Sequence, residues 1–117
     1  MKTLIFIDDE RNLSDVTWIN YPQYDEVLIV RTYSDFIKLV ESVTDIKNYD
    51  FSFDHDIQDF LNDYEFTGYD CIKWLCNDYC MENNINISSC NFYYHTQNPI
   101  GKNNMSSYIN NFMRYFD

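Results

Sequence analysis

The sequence predicts an α/β layered domain around a mostly parallel sheet of four to five strands, and three observations carry that expectation. Short unbroken apolar runs occur at TLIFI (3 to 7) and VLIV (27 to 30), as strands covered on both faces require. Segments with apolar residues at helical spacing separate the strand-like runs, the alternation that right-handed crossovers produce. Hydrophobic residues make up 45% and aromatics 19%, against 2 Gly and 2 Pro, which describes a packed globule and not a linker-rich chain.

Taken in order, TLIFI ends at Asp8 and Asp9, and a polar stretch with Trp18 and Ile19 leaves room for a short helix before VLIV. YSDFIKLVESV predicts a helix capped by Ser34, with Phe36, Leu39, Val40 and Val43 on its inner face. YDFSF (49 to 53) is the third strand, and the acidic, aromatic QDFLNDYEFTG after it reads as a loop long enough to be a lid. Residues 69 to 83 put Ile72, Leu75, Cys76 and Tyr79 on one helical face. INISSCNFYY (85 to 94) is the fourth strand, ending at His95. Met105, Tyr108, Ile109, Phe112, Met113 and Phe116 mark a last helix. At 117 residues the chain is read as one domain, 1 to 117.

Nineteen acidic residues against eight basic ones give a formal net charge of −11. Such a field repels the phosphates of long nucleic acids, so duplex DNA is not an expected partner. A small anion stays compatible if a bound cation or a few local Lys and Arg reverse the sign inside one cleft. The apolar start is too short for a signal peptide and no stretch reaches the length of a membrane span; a cytoplasmic location without membrane contact is expected. Cys71, Cys76, Cys80 and Cys90 lack CxxC spacing and matching histidines, and read as buried apolar residues of a reducing compartment. Alanine is absent while Asn, Ile and Tyr abound, the bias of an AT-rich genome such as many phages and low-GC bacteria carry.

Ligands of parallel α/β sheets bind beyond the carboxyl ends of the strands. Here each strand hands over to polar residues: Asp8, Asp9 and Arg11, then Arg31 and Thr32, then Asp54, His55 and Asp56, then His95, Thr96 and Asn98. A helix N-cap accounts for Asp8 or Asp9 alone, but not for the pair together with Asp54. Carboxylates converging from neighbouring strand ends repel one another unless a hard divalent cation, Mg²⁺ or Mn²⁺, sits among them. His55 and His95 at the same sheet edge suit general acid and base roles. The alternative, that both are ligands, favours a softer ion such as Zn²⁺ or Mn²⁺. Pro99, Gly101 and Lys102, just before the last helix, form a weak anion-site signal and are also ordinary turn punctuation.

Asp8 and Asp9 after the first strand and Asp54 after the third resemble the acidic pocket of response-regulator receiver domains. There, two acidic residues help to bind Mg²⁺ and the third-strand Asp accepts a phosphoryl group. A receiver also has a small hydroxyl residue after its fourth strand and a Lys after its fifth; here His95 ends the fourth and no fifth strand is evident. The chain is more similar to the cyclic-phosphate processing receiver-like family, with its DDxR start, DHDL-like third strand, TGYD-like helix entry and HSxNPxGxxNM-like end. DDER (8 to 11), DHDI (54 to 57), TGYD (67 to 70) and HTQNPIGKNNM (95 to 105) answer them in that order over nearly the whole length. The chain departs where Leu13 stands near a usual Pro, where Ile57 and Gln58 replace the usual Leu and Gly, and where Thr96 replaces Ser.

The resemblance implies a receiver-like (flavodoxin-like) three-layer sandwich and a hydrolase-like domain acting on cyclic phosphodiesters, such as 2′,3′-cyclic phosphates of nucleotides or RNA ends. With the residue chemistry it gives one assignment. Asp8, Asp9 and Asp54 hold a divalent metal, Mg or Mn, with Asp56 an alternative ligand or a neighbour of one. His55 and His95 share the acid and base work, and Asp56 counts with them as a catalytic candidate. Arg11, whose guanidinium binds two oxygens at once, contacts phosphate, and Asn98 and Lys102 orient it. Arg31 ties the acidic residues together structurally. Two other classes compete: a sponge or sensor that captures a cyclic nucleotide intact, and a phosphorelay receiver with Asp54 as acceptor. Oligomeric state is left open.

Overall fold

The computed structural model describes residues 2–116, and the side chain of Phe116, expected on the last helix's apolar face, lies outside the described residues. In chain order the elements are β1 (Thr3–Ile7), β2 (Glu26–Val30), α1 (Tyr33–Ser42), β3 (Tyr49–Phe53), β4 (Asp59–Leu61), β5 (Tyr64–Phe66), α2 (Gly68–Lys73), β6 (Phe92–Tyr94) and α3 (Pro99–Met113). α2 runs on as a π-helix over Trp74–Met81, and 3-10 turns occupy Leu13–Asp15, Ile46–Asn48 and Arg114–Phe116. Among the described residues, β2, β1, β3 and β6 form one parallel sheet in that order, while β4 and β5 form a separate antiparallel hairpin. The architecture is α/β and receiver-like, as expected. No helix is long and apolar enough to cross a membrane among the described residues.

Strand parity sorts the sheet into two faces. The register aligns Ile5 with Phe51, Ile7 with Phe53, and Phe53 with Tyr94. One face therefore carries Ile5, Ile7, Phe51, Phe53, Phe92 and Tyr94, and the helices cover it. Phe36 of α1 meets Phe51 and Phe53 edge-on at 6.3 and 5.8 Å between ring centroids. Ile72 and Leu75 from the second helix and Met105 and Ile109 from α3 complete this core.

The other face carries Leu4, Phe6, Asp50, Ser52 and Tyr93. An extended segment, residues 12–25, straps it in place of a helix. Its Tyr21 hydroxyl bonds to Ser52 at 2.6 Å, and its Tyr24 hydroxyl donates to Asp50 at 2.6 Å. The alternation of YDFSF thus has a cause at each position: its phenylalanines pack on helices, and its buried polar groups meet strap tyrosines, as buried polar groups must.

Several boundaries differ from the sequence reading, each for a local reason. Thr32, not Ser34, caps α1, because its hydroxyl accepts from Asp35 N at 3.1 Å. The fourth strand shrinks from 85–94 to Phe92–Tyr94: Asn86 turns the chain by accepting from Ser88 N at 2.8 Å, and Ile87 and Cys90 are buried from a loop. The last helix begins at Pro99, whose missing N–H costs nothing in a first turn, so Pro99 and Gly101 lie inside α3 and not before it. QDFLNDYEFTG is a hairpin, turned at Asn62 with φ 55° and anchored where Asp59 accepts from Tyr33 N at 2.9 Å and Phe66 stacks on Tyr33 at 4.4 Å. The four cysteines are free and buried. Burial pushes the thiols of Cys76 and Cys80 up to about 12 and that of Cys90 to about 11, which keeps them unreactive.

Candidate active site

The register that aligns Ile7, Phe53 and Tyr94 also fixes what comes next. The ladder runs one residue past the strands: Asp8 N donates to Val30 O at 3.1 Å, Asp54 N to Ile7 O at 2.9 Å and His95 N to Phe53 O at 3.0 Å. Parity then turns Asp8, Asp54 and His95 to the strap face, where all three are buried. One ligand atom from each lies within 4.8 Å of the others. His55, the next residue along, falls to the helix side.

Asp8 organises the loop that follows it. Its Oδ1 accepts from the N–H groups of Glu10 at 2.9 Å and Arg11 at 2.8 Å, and its Oδ2 faces His95 Nε2 at 3.0 Å. Burial alone would raise its pKa, but the His95 bond and the two backbone donors outweigh it and bring the carboxyl down to about 2. Asp54 goes the other way: burial, then the charge of Asp8, pushes it up, although His55 N donates to its Oδ1 at 2.9 Å. Asp9, half-buried beside them, is also raised, chiefly by burial. Two neighbouring carboxyls thus have opposite tendencies, a pattern characteristic of reactive sites.

Arg11 supplies the local positive charge. Its Nη1 lies 3.6 Å from Asp8 Oδ2 and 3.9 Å from Asp54 Oδ2, and the guanidinium packs over the Trp18 ring at 5.3 Å. Arg31 does not meet the carboxylates. Its Nη1 donates to the main-chain oxygens of Asp8 at 3.2 Å and Arg11 at 2.6 Å, and its Nη2 to Asn12 Oδ1 at 2.8 Å, which holds the loop that carries Arg11.

A polar cleft of about 230 Å³ opens over these groups. Asp8, Asp9, Arg11, Asp54, Asp56 and Asn98 from the predicted set line it, and so does Gln58. Lys102 and the two histidines are not in its wall. Lys102 is exposed on α3, and N–H groups of that helix's first turn are taken by Asn98: Gly101 N donates to the Asn98 side chain at 3.1 Å and Lys102 N to Asn98 O at 2.9 Å. His55 sits beside the cleft with Nδ1 2.9 Å from Asp56 Oδ1, and Asp56 Oδ2 lies 3.5 Å from Asn98 Nδ2. His95 is fully buried, stacked on Phe6 at 4.3 Å, with both ring nitrogens engaged.

Both glycines of the chain serve the Asp54–His55 turn. A Cβ on Gly68 would lie 1.8 Å from Asp54 O, and Gly68 N donates to His55 O at 2.8 Å. A Cβ on Gly101 would lie 2.6 Å from the His55 ring. Gln58, where the resembling family has glycine, takes φ 50°, so the left-handed turn is kept while a side chain is added to the cleft wall. Tyr21, Ser52 and Trp18 were not singled out as site residues from the sequence. Ser52 carried the signal: a lone hydroxyl inside an apolar strand, two residues before Asp54.

The donor set fits a hard divalent ion. Asp8 and Asp54 bring oxygens together from adjacent strands, and Asp9 stands beside them in the cleft wall. His95 Nε2 is already bonded to Asp8, which suits a group that orients a ligand better than a ligand itself.

A parallel sheet in the order β2-β1-β3-β6, with an acidic pocket beyond its first and third strands, defines a receiver-type domain. The family described as cyclic-phosphate processing receiver domain matches residues 3–111, and the chain belongs to that family. No curated protein and no solved structure matches the chain.

Proposed function

We propose that this domain is a metal-assisted phosphoesterase that opens cyclic phosphodiesters, either 2′,3′-cyclic phosphates of nucleotides or RNA ends, or cyclic nucleotides. The observation that carries the reading is the convergence of Asp8, Asp54 and Arg11 in one small polar cleft: two carboxylates for a cation and one guanidinium for phosphate oxygens. Asp8 and Asp54, with Asp9 beside them, hold a Mg²⁺ or Mn²⁺ ion. Bound there, the ion supplies positive charge against the oxygens of the phosphorane. Arg11 leaves its long contacts with the two carboxylates for the phosphate, which it binds bidentately. Asn98, which also lines the cleft, helps to fix the substrate.

The net change is the addition of one water. A new P–O bond forms to the water oxygen, the P–O bond to one ribose oxygen breaks, and that oxygen takes up a proton. The Asp56–His55 pair moves the proton. Asp56 stands in the cleft wall, His55 is hydrogen-bonded to it through Nδ1, and His55 Nε2 has no partner among the described residues. A second reading, capture without turnover, is favoured by the position of both histidines outside the cleft wall.

The test is a screen of cyclic mono- and dinucleotides and 2′,3′-cyclic substrates with Mg²⁺ and Mn²⁺, with products identified by ³¹P NMR. Under the proposal a substrate is opened, His55→Asn cuts turnover roughly a hundredfold or more with little change in binding, and removal of Arg11 weakens both. Tight binding with the ligand recovered intact selects the sponge. No binding and no turnover across the screen rejects both.

A further inference from the structure

The face opposite the helices contains an uninterrupted chain of side-chain hydrogen bonds, of which the proposed chemistry uses only the last member, Asp8. Tyr21 OH lies 2.6 Å from Ser52 Oγ, Ser52 Oγ lies 2.7 Å from His95 Nδ1, and His95 Nε2 lies 3.0 Å from Asp8 Oδ2. Ser52 and His95 are 0% exposed and Asp8 1%, so water does not relieve a mismatch anywhere along the inner part of this chain. The ring of His95 is held flat on Phe6, with 7° between planes, and the Trp18 indole N–H donates to the His95 carbonyl at 2.9 Å.

Donor direction follows from chemistry. A neutral imidazole has one N–H and one lone pair. At 3.0 Å from a carboxylate oxygen, Nε2 must carry the proton, since two lone pairs facing each other would repel. Nδ1 is then the acceptor, and Ser52 must donate to it. Ser52 has only one proton, so its contact with Tyr21 requires Tyr21 to be the donor. Every bond therefore runs one way, from Tyr21 through Ser52 and His95 to Asp8. The Asp–His–Ser string is not a nucleophilic triad: Ser52 is sealed from solvent, and its oxygen is bonded to a second hydroxyl.

We propose that Tyr21 and Ser52 are positioning residues which lock His95 in its Nε2–H tautomer, so that His95 serves as the fixed donor orienting the Asp8 carboxylate in the cleft. The inference rests on the proposed function only in taking Asp8 to face a bound cation. Two backbone donors hold Asp8 Oδ1 and the His95 N–H holds Oδ2, so the lone pairs left toward the cleft have one geometry. The strap that replaces a helix on this face thus brings in the tyrosine that starts the chain.

The test uses the full chain labelled with ¹⁵N-histidine, with long-range ¹H–¹⁵N spectra assigned by means of His55→Asn, since the sequence has only two histidines. In the wild type without metal, His95 shows the Nε2–H tautomer alone. Ser52→Ala removes the donor to Nδ1 and leaves that nitrogen a buried acceptor without a partner, so its ¹⁵N shift moves away from the wild-type value, and Ser52→Thr restores it. Mn²⁺ affinity, read by calorimetry, falls roughly ten- to hundredfold in Ser52→Ala and by less in Tyr21→Phe, the usual worth of an outer partner of a ligand. A wild-type His95 found as the Nδ1–H form or as imidazolium overturns the proposal, and so does a Ser52→Ala spectrum identical to wild type. If Ser52→Ala fails to fold, the wild-type spectrum and Tyr21→Phe still decide. A protein with the expected tautomer and Mn²⁺ response but no turnover refutes the phosphoesterase and leaves this inference standing.

Discussion

Asp8 and Asp54 occupy equivalent positions at the ends of paired strands, yet their surroundings treat them oppositely. Asp8, brought down from 3.8 to about 2, has its charged form stabilised by folding. Its contribution is complete above its unfolded value near 4, and is lost as pH falls from there through 2. The shift corresponds to about 2 kcal/mol. Asp54, raised by burial and by Asp8, has its charged form penalised, so its contribution runs the other way. Urea unfolding at neutral and acid pH separates the two. Asp8→Asn is expected to be less stable than wild type at pH 7 by about that amount, with the gap closing toward pH 2. Asp54→Asn is expected to be more stable than wild type at pH 7, with the gain vanishing on acidification, and to lose any stabilisation that Mg²⁺ gives the wild type. An Asp54→Asn protein less stable than wild type at neutral pH would show that Arg11 compensates the pair without a cation. At this scale the sequence made the acidic groups visible because they interrupt apolar runs. It did not separate His55 from His95. That requires the register, which decides that residue 54 shares a face with residues 8 and 95 while residue 55 faces the helices.

Among the elements, the hairpin β4–β5 and the entry to α2 show how the DHDI turn is built. The chain leaves β3, reverses through Gln58 at φ 50°, forms the hairpin and returns so that Gly68 packs on Asp54 O. Thr67 caps α2 by accepting from Asp70 N at 3.4 Å, and Asp70 returns the contact by accepting from Thr67 N at 2.8 Å, a reciprocal cap that fixes where Gly68 falls. Gly68→Ala would set a methyl 1.8 Å from a backbone oxygen, which no rotamer change relieves. It is expected to cost about 3 kcal/mol or more in urea unfolding, at the severe end for a single methyl. Gln58→Gly should not destabilise: relief of a left-handed non-glycine, about 1 kcal/mol, offsets the greater freedom glycine has when unfolded. A large loss in Gln58→Gly would mean that the glutamine side chain holds the cleft wall. The family resemblance marked TGYD as a helix entry, but the hairpin was not legible, because strands of three residues give too few alternations to distinguish from loop. The fourth strand was overextended for the opposite reason: Ile85 and Ile87 suggested continuation, while the Asn86 side chain satisfied the backbone locally and turned it.

For the whole molecule, the parallel strands follow from apolar runs and the helical segments between them, so the fold class was readable; the strand order and what covers the second face were not. The strap's only helical piece is one 3-10 turn, and its tyrosines find Asp50 and Ser52 by hydrogen bonds that no hydrophobic period announces. Over this framework lies a net charge of −11, with Arg11 the one cationic side chain in the cleft wall among the described residues. A small anionic phosphate therefore approaches a repelling field and is attracted only at contact. Added salt screens the long-range repulsion over a Debye length of about 8 Å at 0.15 M, and affects a guanidinium–phosphate contact inside the cleft much less. Association with a cyclic nucleotide is thus expected to speed up, and affinity to hold or rise, as KCl is increased from 10 to about 150 mM at fixed Mg²⁺, with saturation beyond. The effect should grow with the charge of the ligand, so that an oligonucleotide ending in a 2′,3′-cyclic phosphate is helped more by salt than the mononucleotide. Proteins that gather nucleic acid through basic patches do the reverse and lose affinity steeply with salt. Stopped-flow binding over that salt range distinguishes the two. A steep fall in affinity for the oligonucleotide would show that the acidic field does not govern access, and that a basic surface outside the cleft carries the recognition.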